Sequence, residues 1–268
     1  GRGMNNSIRC LIVGLFGLMC SAHIAITDQV ISDSYKLLAN EGATNDGFGR
    51  SVSISDDAAI VGVDKDDDNG NNSGSAYVFY FNGTEWIVEA KLLASDGDPN
   101  DRFGREVYID GNTAVVGARK DDENGNGAGA AYVYVFNGDE WVEEAKLLAS
   151  DGTDGDEFGL ALCTSSNRIV VGARLAEIDG DVTGAAYVFH FTEGTWLENM
   201  KLAASDRTEG DKYGHAVAID GDTIVIGAIN STDSGAAYIY RFNNETNTWG
   251  DEVKLSEGSA GDQFGNSV

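Results

Sequence analysis

The sequence predicts an all-β fold, a β-propeller built from four-stranded antiparallel sheets. Three observations support this. A repeat of about 55 residues runs along the chain, each repeat contains four short stretches with the periodicity of β-strands, and the links between them are rich in glycine, aspartate and asparagine. One such sheet cannot bury both of its apolar faces, whereas copies stacked around an axis bury them and protect the edges.

The period is clearest at aromatic positions. An aromatic residue followed by glycine recurs at intervals of 55 residues and finally of 51: Phe48, Phe103, Phe158, Tyr213 and Phe264. A tryptophan recurs with nearly the same period: Trp86, Trp141, Trp196 and Trp249. We therefore expect four complete repeats and a truncated fifth, which makes an incomplete propeller. The expected boundaries of the five repeats are residues 36–90, 91–145, 146–200, 201–253 and 254–268.

The strands of a repeat can be assigned in order. In repeat two, FGREVYI alternates polar and apolar residues, TAVVGA and AAYVYVF are short runs of strand-forming residues, and EWVEEAKLLA alternates around Trp141. Small residues such as Gly117 and Ala130 suit crowded strands near the axis. We expect the tryptophans to pack between neighbouring sheets. The lysine of each KLL motif should lie on the outer strand with a solvated ammonium group.

The segment before the repeats has the features of an export signal. Residues 4–25 contain an apolar run from Cys10 to Cys20 followed by small residues, which is typical of a secretory signal peptide. The run is shorter than the roughly 20 apolar residues of a membrane anchor, although an uncleaved anchor stays an alternative. We assign 1–25 to upstream residues and a signal peptide and 26–35 to a lead-in, which predicts a secreted or cell-surface protein.

Composition argues against several classes of function. The chain has 44 acidic and 18 basic residues and a net charge of -26, so it repels nucleic acid and anionic membrane surfaces, and neither is expected as a partner. His190 and His215 belong to no nucleophile, metal or phosphate motif, and Cys163 is expected to be a buried thiol. The sequence therefore predicts a protein that is not an enzyme.

The recurring motifs resemble a known family. FGRSVSI…AIVGV, FGREVYI…AVVGA, FGLALCT…IVVGA and YGHAVAI…IVIGA are similar to FG-GAP repeats, the blades of the integrin α-subunit propeller and of many secreted bacterial and algal proteins. The resemblance covers about residues 35–268 and implies extracellular adhesion or ligand binding, often with calcium. In integrin-like blades the calcium loop joins the first two strands. Here that link is short, as in DGNT from Asp110, so those ligands cannot be transferred.

An acidic loop between the second and third stretches is the candidate calcium site. In repeat one it reads DKDDDNGNNSG, where Asp64, Asp66 and Asp68 alternate as the oxygen ligands of calcium often do. Repeat two offers a poorer set: Asp121, Asp122 and Glu123. The acidic residues become fewer in later repeats, which favours a solvated turn. The sequence leaves both interpretations open.

A more regular acidic position stands two residues before each repeated aromatic: Asp46, Asp101, Asp156, Asp211 and Asp262. We expect these carboxylates to accept backbone N–H hydrogen bonds in the turn that enters each sheet, with metal binding as the alternative. In a propeller these turns and the second-to-third loops emerge at the same end. That end would carry most of the negative charge and attract basic partners.

These observations predict a secreted or cell-surface binding or adhesion module that recognises an extracellular protein or glycan through an acidic face. Calcium would assist if the acidic loops bind it. One alternative is the propeller domain of a polysaccharide-active enzyme whose catalytic part lies outside this sequence. Another is an architectural repeat array of a larger surface protein. The chain is not expected to be embedded in a membrane, and attachment to a surface would use a region beyond its C-terminus.

Overall fold

The computed structural model describes residues 36–231, 234–246, 248–259 and 261–268, and the fold is that of the compact unit Leu37–Val268. The described residues form four large antiparallel sheets and one two-stranded ribbon, which confirms the predicted all-β class and an incomplete propeller. No helix in this part of the chain is long and apolar enough to cross a bilayer. The predicted signal peptide and lead-in lie outside the described residues.

The first two sheets each contain four strands in chain order. Sheet one consists of β1 (Val52–Ser55), β2 (Ala58–Val63), β3 (Ser75–Phe81) and β4 (Trp86–Leu92). Sheet two consists of β5 (Phe103–Asp110), β6 (Thr113–Ala118), β7 (Ala130–Phe136) and β8 (Trp141–Leu147). The KLL motif thus closes the fourth strand of a sheet and leads towards the next sheet.

The other two sheets follow the same order with small departures. Sheet three consists of β9 (Ala161–Ser165), β10 (Arg168–Ala173), β13 (Ala185–Thr192) and β14 (Thr195–Leu202), and its long loop holds the ribbon β11 (Glu177–Ile178) and β12 (Asp181–Val182). Sheet four consists of β15 (Tyr213–Asp220), β16 (Thr223–Ala228), β17 (Ala236–Asn243), β18 (Thr248–Trp249) and β19 (Val253–Leu255). Both β18 and β19 pair with β17, so together they take the place of a fourth strand.

Short links and bulges set the register within a sheet. Two residues join β1 to β2, so Ser55 pairs with Ala58, and Asp110 pairs with Thr113 in the same way in sheet two. Such tight hairpins leave no room for a long cation-binding loop between the first two strands. The pairing of the third and fourth strands shifts at a bulge in each of the first three sheets.

The hydrophobic core lies between neighbouring sheets. Ile60 and Val78 of sheet one belong to the same buried cluster as Val107 and Ile109 of sheet two. Equivalent clusters fill the next two interfaces between sheets. Each sheet therefore gains its stability from the sheets beside it, because apolar burial is the main favourable contribution to folding.

Glycine backbones allow neighbouring sheets to touch. A Cβ atom at Gly117 would lie 2.0 Å from the carbonyl oxygen of Gly159 in the next sheet, and one at Gly62 would lie 2.0 Å from that of Gly104. These pairs join the glycine of each VGA motif to the glycine that follows the repeated aromatic. The recurring glycines are required by this close approach of backbones.

The tryptophans also bridge sheets. Trp141 packs beside the core cluster between sheets one and two, and its indole Nε1 donates a hydrogen bond of 2.8 Å to Glu89 Oε2 in sheet one. Trp196 donates an equivalent bond of 2.8 Å to Glu144 in sheet two. The predicted packing of these two tryptophans between sheets is confirmed.

The outer face of sheet one lacks such a neighbour among the described residues. Val52 and Ile54 on β1 are 67% and 66% exposed. Their equivalents on β5, Val107 and Ile109, are only 1% and 2% exposed, because sheet one covers them. Sheet one therefore exposes an apolar face, whereas the equivalent face of sheet two is buried.

Candidate functional site

The second-to-third loops and the turns between sheets meet at one end of the strands. Asn69 Nδ2 donates to the carbonyl oxygen of Ala94 at 3.0 Å, and Asn124 Nδ2 donates to that of Ala149 at 2.8 Å. This confirms that the two groups of loops emerge together. We call this region the loop end; it is formed by residues 64–74, 93–102, 119–129, 148–157, 174–184 and 203–212.

The aspartate before each repeated aromatic has the same partner in every repeat. Its carboxylate accepts a hydrogen bond from the backbone N–H three residues earlier, as Asp101 does from Asp98 at 2.7 Å. The other four with this bond are Asp46, Asp156, Asp211 and Asp262. Burial, together with nearby Asp121 and Asp98, raises the pKa of Asp101 to about 6.

A lysine from the fourth strand neutralises the acidic loop of sheet two. Lys146 Nζ lies 2.7 Å from Asp96, 2.9 Å from Asp121 and 2.7 Å from Glu123. The hydroxyl oxygen of Tyr132 lies 2.7 Å from Asp96 Oδ1 and 2.9 Å from Asp121 Oδ2, so one O–H is within donating distance of both carboxylates. The ring centroid of Tyr132 lies 5.3 Å from Nζ. Burial alone would lower the pKa of Lys146, but hydrogen bonds to the three carboxylates raise it. The lysine lies on the expected strand, yet its ammonium group is paired rather than solvated.

The three candidate calcium ligands of repeat one form ion pairs with two different cationic side chains. Lys91 Nζ lies 3.0 Å from Asp66 and 2.6 Å from Asp68. Asp64 lies instead 3.6 Å from Arg105 Nη1 of the next sheet. The alternating carboxylates therefore do not converge on one point, and an ammonium group sits between the two that come closest.

Asp122, the middle acid of the second candidate calcium set, forms a hydrogen bond within its own loop. Asp122 Oδ1 accepts the N–H of Gly127 at 2.7 Å, and in sheet one Asp67 accepts the N–H of Asn72 at 2.7 Å. Asp122 therefore does not share Lys146 with its two neighbours in sequence. This arrangement is a local turn interaction of the kind that short acidic side chains favour.

The later sheets keep the lysine but not every acid. Lys201 lies 2.7 Å from Asp151, and Lys254 lies 2.6 Å from Asp206. In sheet three Ala176 stands where sheets one and two have a buried loop aspartate. In sheets two to four the lysine of the fourth strand thus pairs with the acid that precedes the sheet. In sheet one Lys91 pairs with the loop acids Asp66 and Asp68 instead.

These contacts determine how well the acidic loops fit calcium. Calcium takes about six to eight oxygen ligands, whereas Asp66 and Asp68 already hold the ammonium group of Lys91. In the described part of the chain no three acidic, histidine or cysteine side chains are arranged to hold a metal ion. The donors present therefore do not fit a resident calcium ion.

The histidines and the cysteine have ordinary structural surroundings. His190 Nε2 lies 2.6 Å from the amide nitrogen of Asn167. Burial and the charge of Arg174 lower the pKa of His215. Cys163 is buried, and burial raises the pKa of its thiol, which disfavours the reactive thiolate.

Sequence reasoning missed a basic cluster at the loop end. Glu157 is 5% exposed and forms ion pairs with Arg119, with Lys120 at 3.1 Å and with Arg174 at 2.9 Å. Arg102 lies beside two of these cations in the same cavity. The sequence did contain a signal for this cluster. The residue directly before the repeated aromatic, which is Arg102 in repeat two and Glu157 in repeat three, differs in every repeat, whereas the rest of the motif recurs.

Comparison with known proteins agrees with this geometry. The family described as FG-GAP repeat matches four consecutive segments, residues 31–79, 86–134, 141–189 and 196–240. Together they cover more than half of the sequence. No curated protein matches the chain. FG-GAP repeats suggest a propeller-type binding module, are generally non-catalytic, and are typical of extracellular or surface proteins. The chain therefore belongs to the FG-GAP repeat family.

Proposed function

We propose that this chain is a secreted or cell-surface, non-catalytic binding and adhesion module that recognises a protein or glycan partner through the acidic surface of the loop end. Membership of a repeat family associated with binding supports the proposal. The observation that carries it is a set of exposed carboxylates at the loop end that form no ion pair with any described residue: Asp98, Glu177 and Glu209.

Some acidic residues of the loop end are paired and others are not, and the unpaired ones suit this surface to binding a partner. Buried acids such as Asp121 are paired with the lysines of the fourth strands, whereas Asp98, Glu177 and Glu209 are exposed and form no ion pair among the described residues. A surface with unpaired carboxylates attracts basic groups and raises the rate of encounter with them. A basic protein segment or an amine-bearing glycan is therefore the partner chemistry that this surface favours.

The proposal is tested with a decalysine peptide as the probe. Binding is measured by fluorescence anisotropy at low and at physiological salt for the wild-type chain and for the triple variant Asp98→Asn, Glu177→Gln, Glu209→Gln. We expect salt-dependent binding that weakens several-fold in the triple variant, because exposed charges act mainly through screened attraction. The matched control is a variant with Glu85→Gln, Asp139→Asn and Glu140→Gln, which removes three exposed acids from third-to-fourth hairpins.

The control decides whether position matters. Equal weakening in the control and the triple variant would show that net charge alone governs binding and would contradict recognition by the loop end. Unchanged binding in the control, with weaker binding in the triple variant, would support it.

Calcium assistance is tested separately in repeat one. Because Lys91 occupies the space between Asp66 and Asp68, we expect millimolar calcium to leave the melting temperature unchanged. A bound ion at about ten times its dissociation constant would stabilise the protein by roughly 1.4 kcal/mol, which a melting curve detects. A calcium-induced rise that disappears when Asp64, Asp66 and Asp68 are changed to Asn would establish a cation loop and calcium-assisted adhesion.

A further inference from the structure

A basic cavity lies at the loop end between sheets one and two. Its volume is about 400 Å³. Arg102, Arg119 and Lys120 contribute three cationic side chains to its wall, and Asn100 and Asn126 contribute amide groups. This concentration of positive charge is unusual in a chain whose net charge is -26.

The carboxylates near this cavity do not balance its positive charge. Glu157 is shared by Arg119, Lys120 and Arg174, so one negative charge faces three positive ones. Asp122 also lines the cavity as a second carboxylate, and its Oδ1 accepts the N–H of Gly127. Asp154 lies beside the wall as a third, because its Oδ1 accepts the N–H of Asn126 at 2.9 Å. With Arg102, four cationic side chains then face three carboxylates.

The positive charge extends towards the inner strands. Burial, followed by the like charges of Arg50 and Arg119, lowers the pKa of Arg105. Asp64, at 3.6 Å, is the carboxylate paired with Arg105. An anion entering the cavity from solvent would meet the cationic side chains of Arg102, Arg119 and Lys120 at its wall.

Two groups in the wall have donors to spare. Arg102 forms no ion pair with any carboxylate of the described residues. The Nε atom of Arg119 is buried and has no hydrogen-bond partner within the described part of the chain. An oxyanion in the cavity would supply acceptors for the guanidinium group of Arg102.

The repeat itself argues that this cluster is not needed for folding. Repeat two combines Arg102, Arg119 and Lys120, whereas no other complete repeat has a cationic residue at all three of the equivalent positions. The equivalent trios are Gly47, Asp64 and Lys65 in repeat one, Glu157, Arg174 and Leu175 in repeat three, and Lys212, Ile229 and Asn230 in repeat four. The four sheets have the same strand order in spite of this. A feature confined to one repeat points to a task other than building the sheet.

We propose that this cavity binds an oxyanion, a sulfate group carried by a sugar. Arginine side chains match the geometry of such groups with paired N–H donors. Asn100 and Asn126 present amides that can donate to and accept from sugar hydroxyls. The lining contains no aromatic ring on which a nucleotide base would stack. This site is distinct from the acidic surface proposed above, because it takes a ligand of opposite charge.

The probes are a trisulfated heparin disaccharide, the same disaccharide without sulfate, and inorganic sulfate, each titrated calorimetrically at constant ionic strength. We expect the sulfated disaccharide to bind and the unsulfated one to give no heat. Arg102→Ala should weaken binding about tenfold or more, which corresponds to about 1.4 kcal/mol. It should leave the melting temperature unchanged, since Arg102 has no ion pair to lose among the described residues.

Two further variants make the result specific. Arg119→Lys keeps a positive charge beside Glu157 but removes Nε and the planar donors, so binding should weaken in this variant as well. Lys65→Ala removes the equivalent of Lys120 in repeat one and should leave binding unchanged. Heat from inorganic sulfate that Arg102→Ala abolishes would show that the oxyanion suffices. Heat from the disaccharide alone would show that the sugar contributes.

Binding that persists unchanged in Arg102→Ala, or no heat from either sulfated probe, would overturn the proposal. The two proposals fail separately. Arg102→Ala should not weaken the binding of decalysine, and the variant of Asp98, Glu177 and Glu209 should not weaken the binding of the sulfated disaccharide.

Discussion

A single lysine determines whether the acids of the second sheet stabilise or destabilise the fold. Lys146 is 17% exposed and faces three carboxylates, of which Asp121 is only 4% exposed. Without an ammonium group these acids would repel one another in a region where water screens them poorly. Lys201, by contrast, faces Asp151, which is about half exposed. The same residue type at equivalent positions thus carries different energetic weight.

We predict that Lys146→Met destabilises the protein more than Lys201→Met does. Loss of the lysine leaves Asp121 buried without its cation, which should cost about 1 to 3 kcal/mol. The exposed pair in sheet three should be worth about 0 to 1 kcal/mol. Urea unfolding of both variants measures the difference. Equal losses would show that the number of carboxylates around the lysine is irrelevant to stability.

Neighbouring sheets are held at a distance that side chains would prevent. Gly117 on β6 has an ordinary φ angle, so its glycine is required by space and not by backbone conformation. The family match also crosses from one sheet to the next. Its segment 86–134 begins with the fourth strand of sheet one and continues through the first two strands of sheet two into the third. The repeat that recurs in sequence therefore crosses the boundary between two sheets.

We predict that Gly117→Ala destabilises the protein by about 3 kcal/mol or more, since the new Cβ would lie 2.0 Å from a carbonyl oxygen and the sheets would have to separate. Gly111→Ala is the control. Gly111 has a φ of +56°, and no atom lies within 4 Å of the place where a methyl group would sit, so only backbone strain of about 1 to 2 kcal/mol is expected. Thermal melting of both variants tests the prediction. A smaller loss in Gly117→Ala than in Gly111→Ala would contradict it.

The whole molecule responds to pH through two groups of carboxylates with opposite behaviour. Burial raises the pKa of Asp101 to about 6 and also raises the pKa of Glu106 and Asp156, so the folded state binds these protons more tightly than the unfolded state does. In a second group, burial favours a higher pKa, but contacts with lysine or arginine lower it. This group has five acids: Asp66, Asp96, Asp151, Glu157 and Asp206. Their contribution is present above the unfolded pKa of about 3.9 and is lost as pH falls through the lowered values.

We predict that stability rises as pH falls from about 6 to about 4.5 and then declines at lower pH. Above about pH 6 the lowered pKa of His215 opposes the rise, because the unfolded state takes up that proton first. The rise follows the uptake of a proton by Asp101 between its folded pKa of about 6 and the unfolded value of about 3.9. The decline follows protonation of the acids paired with lysine. Melting temperatures at constant ionic strength measure the profile. Asp101→Asn should flatten the rise, and a rise of equal size in that variant would assign it to other acids.

Most of the fold follows from the local pattern. Alternation in FGREVYI and the apolar run TAVVGA predicted strands that the structure contains, because the period of a strand appears within a few residues of sequence. The ion pair of Lys146 with Asp96 joins residues 50 positions apart and depends on how a strand lies against a neighbouring turn. The ribbon β11–β12 and the cavity at Arg102 likewise arise from departures from the repeat, which a search for recurrence ignores.

The indole hydrogen bonds of Trp141 and Trp196 make their fluorescence a measure of contact between neighbouring sheets. Each ring donates to a glutamate of the preceding sheet, so its emission depends on whether two sheets remain in contact. Trp249 Nε1 is buried and has no such partner among the described residues. The fluorescence emission of Trp141 and Trp196 should therefore shift to the red when neighbouring sheets separate, even while the strands within each sheet stay paired. This shift would distinguish stepwise separation of the sheets from a single cooperative unfolding transition.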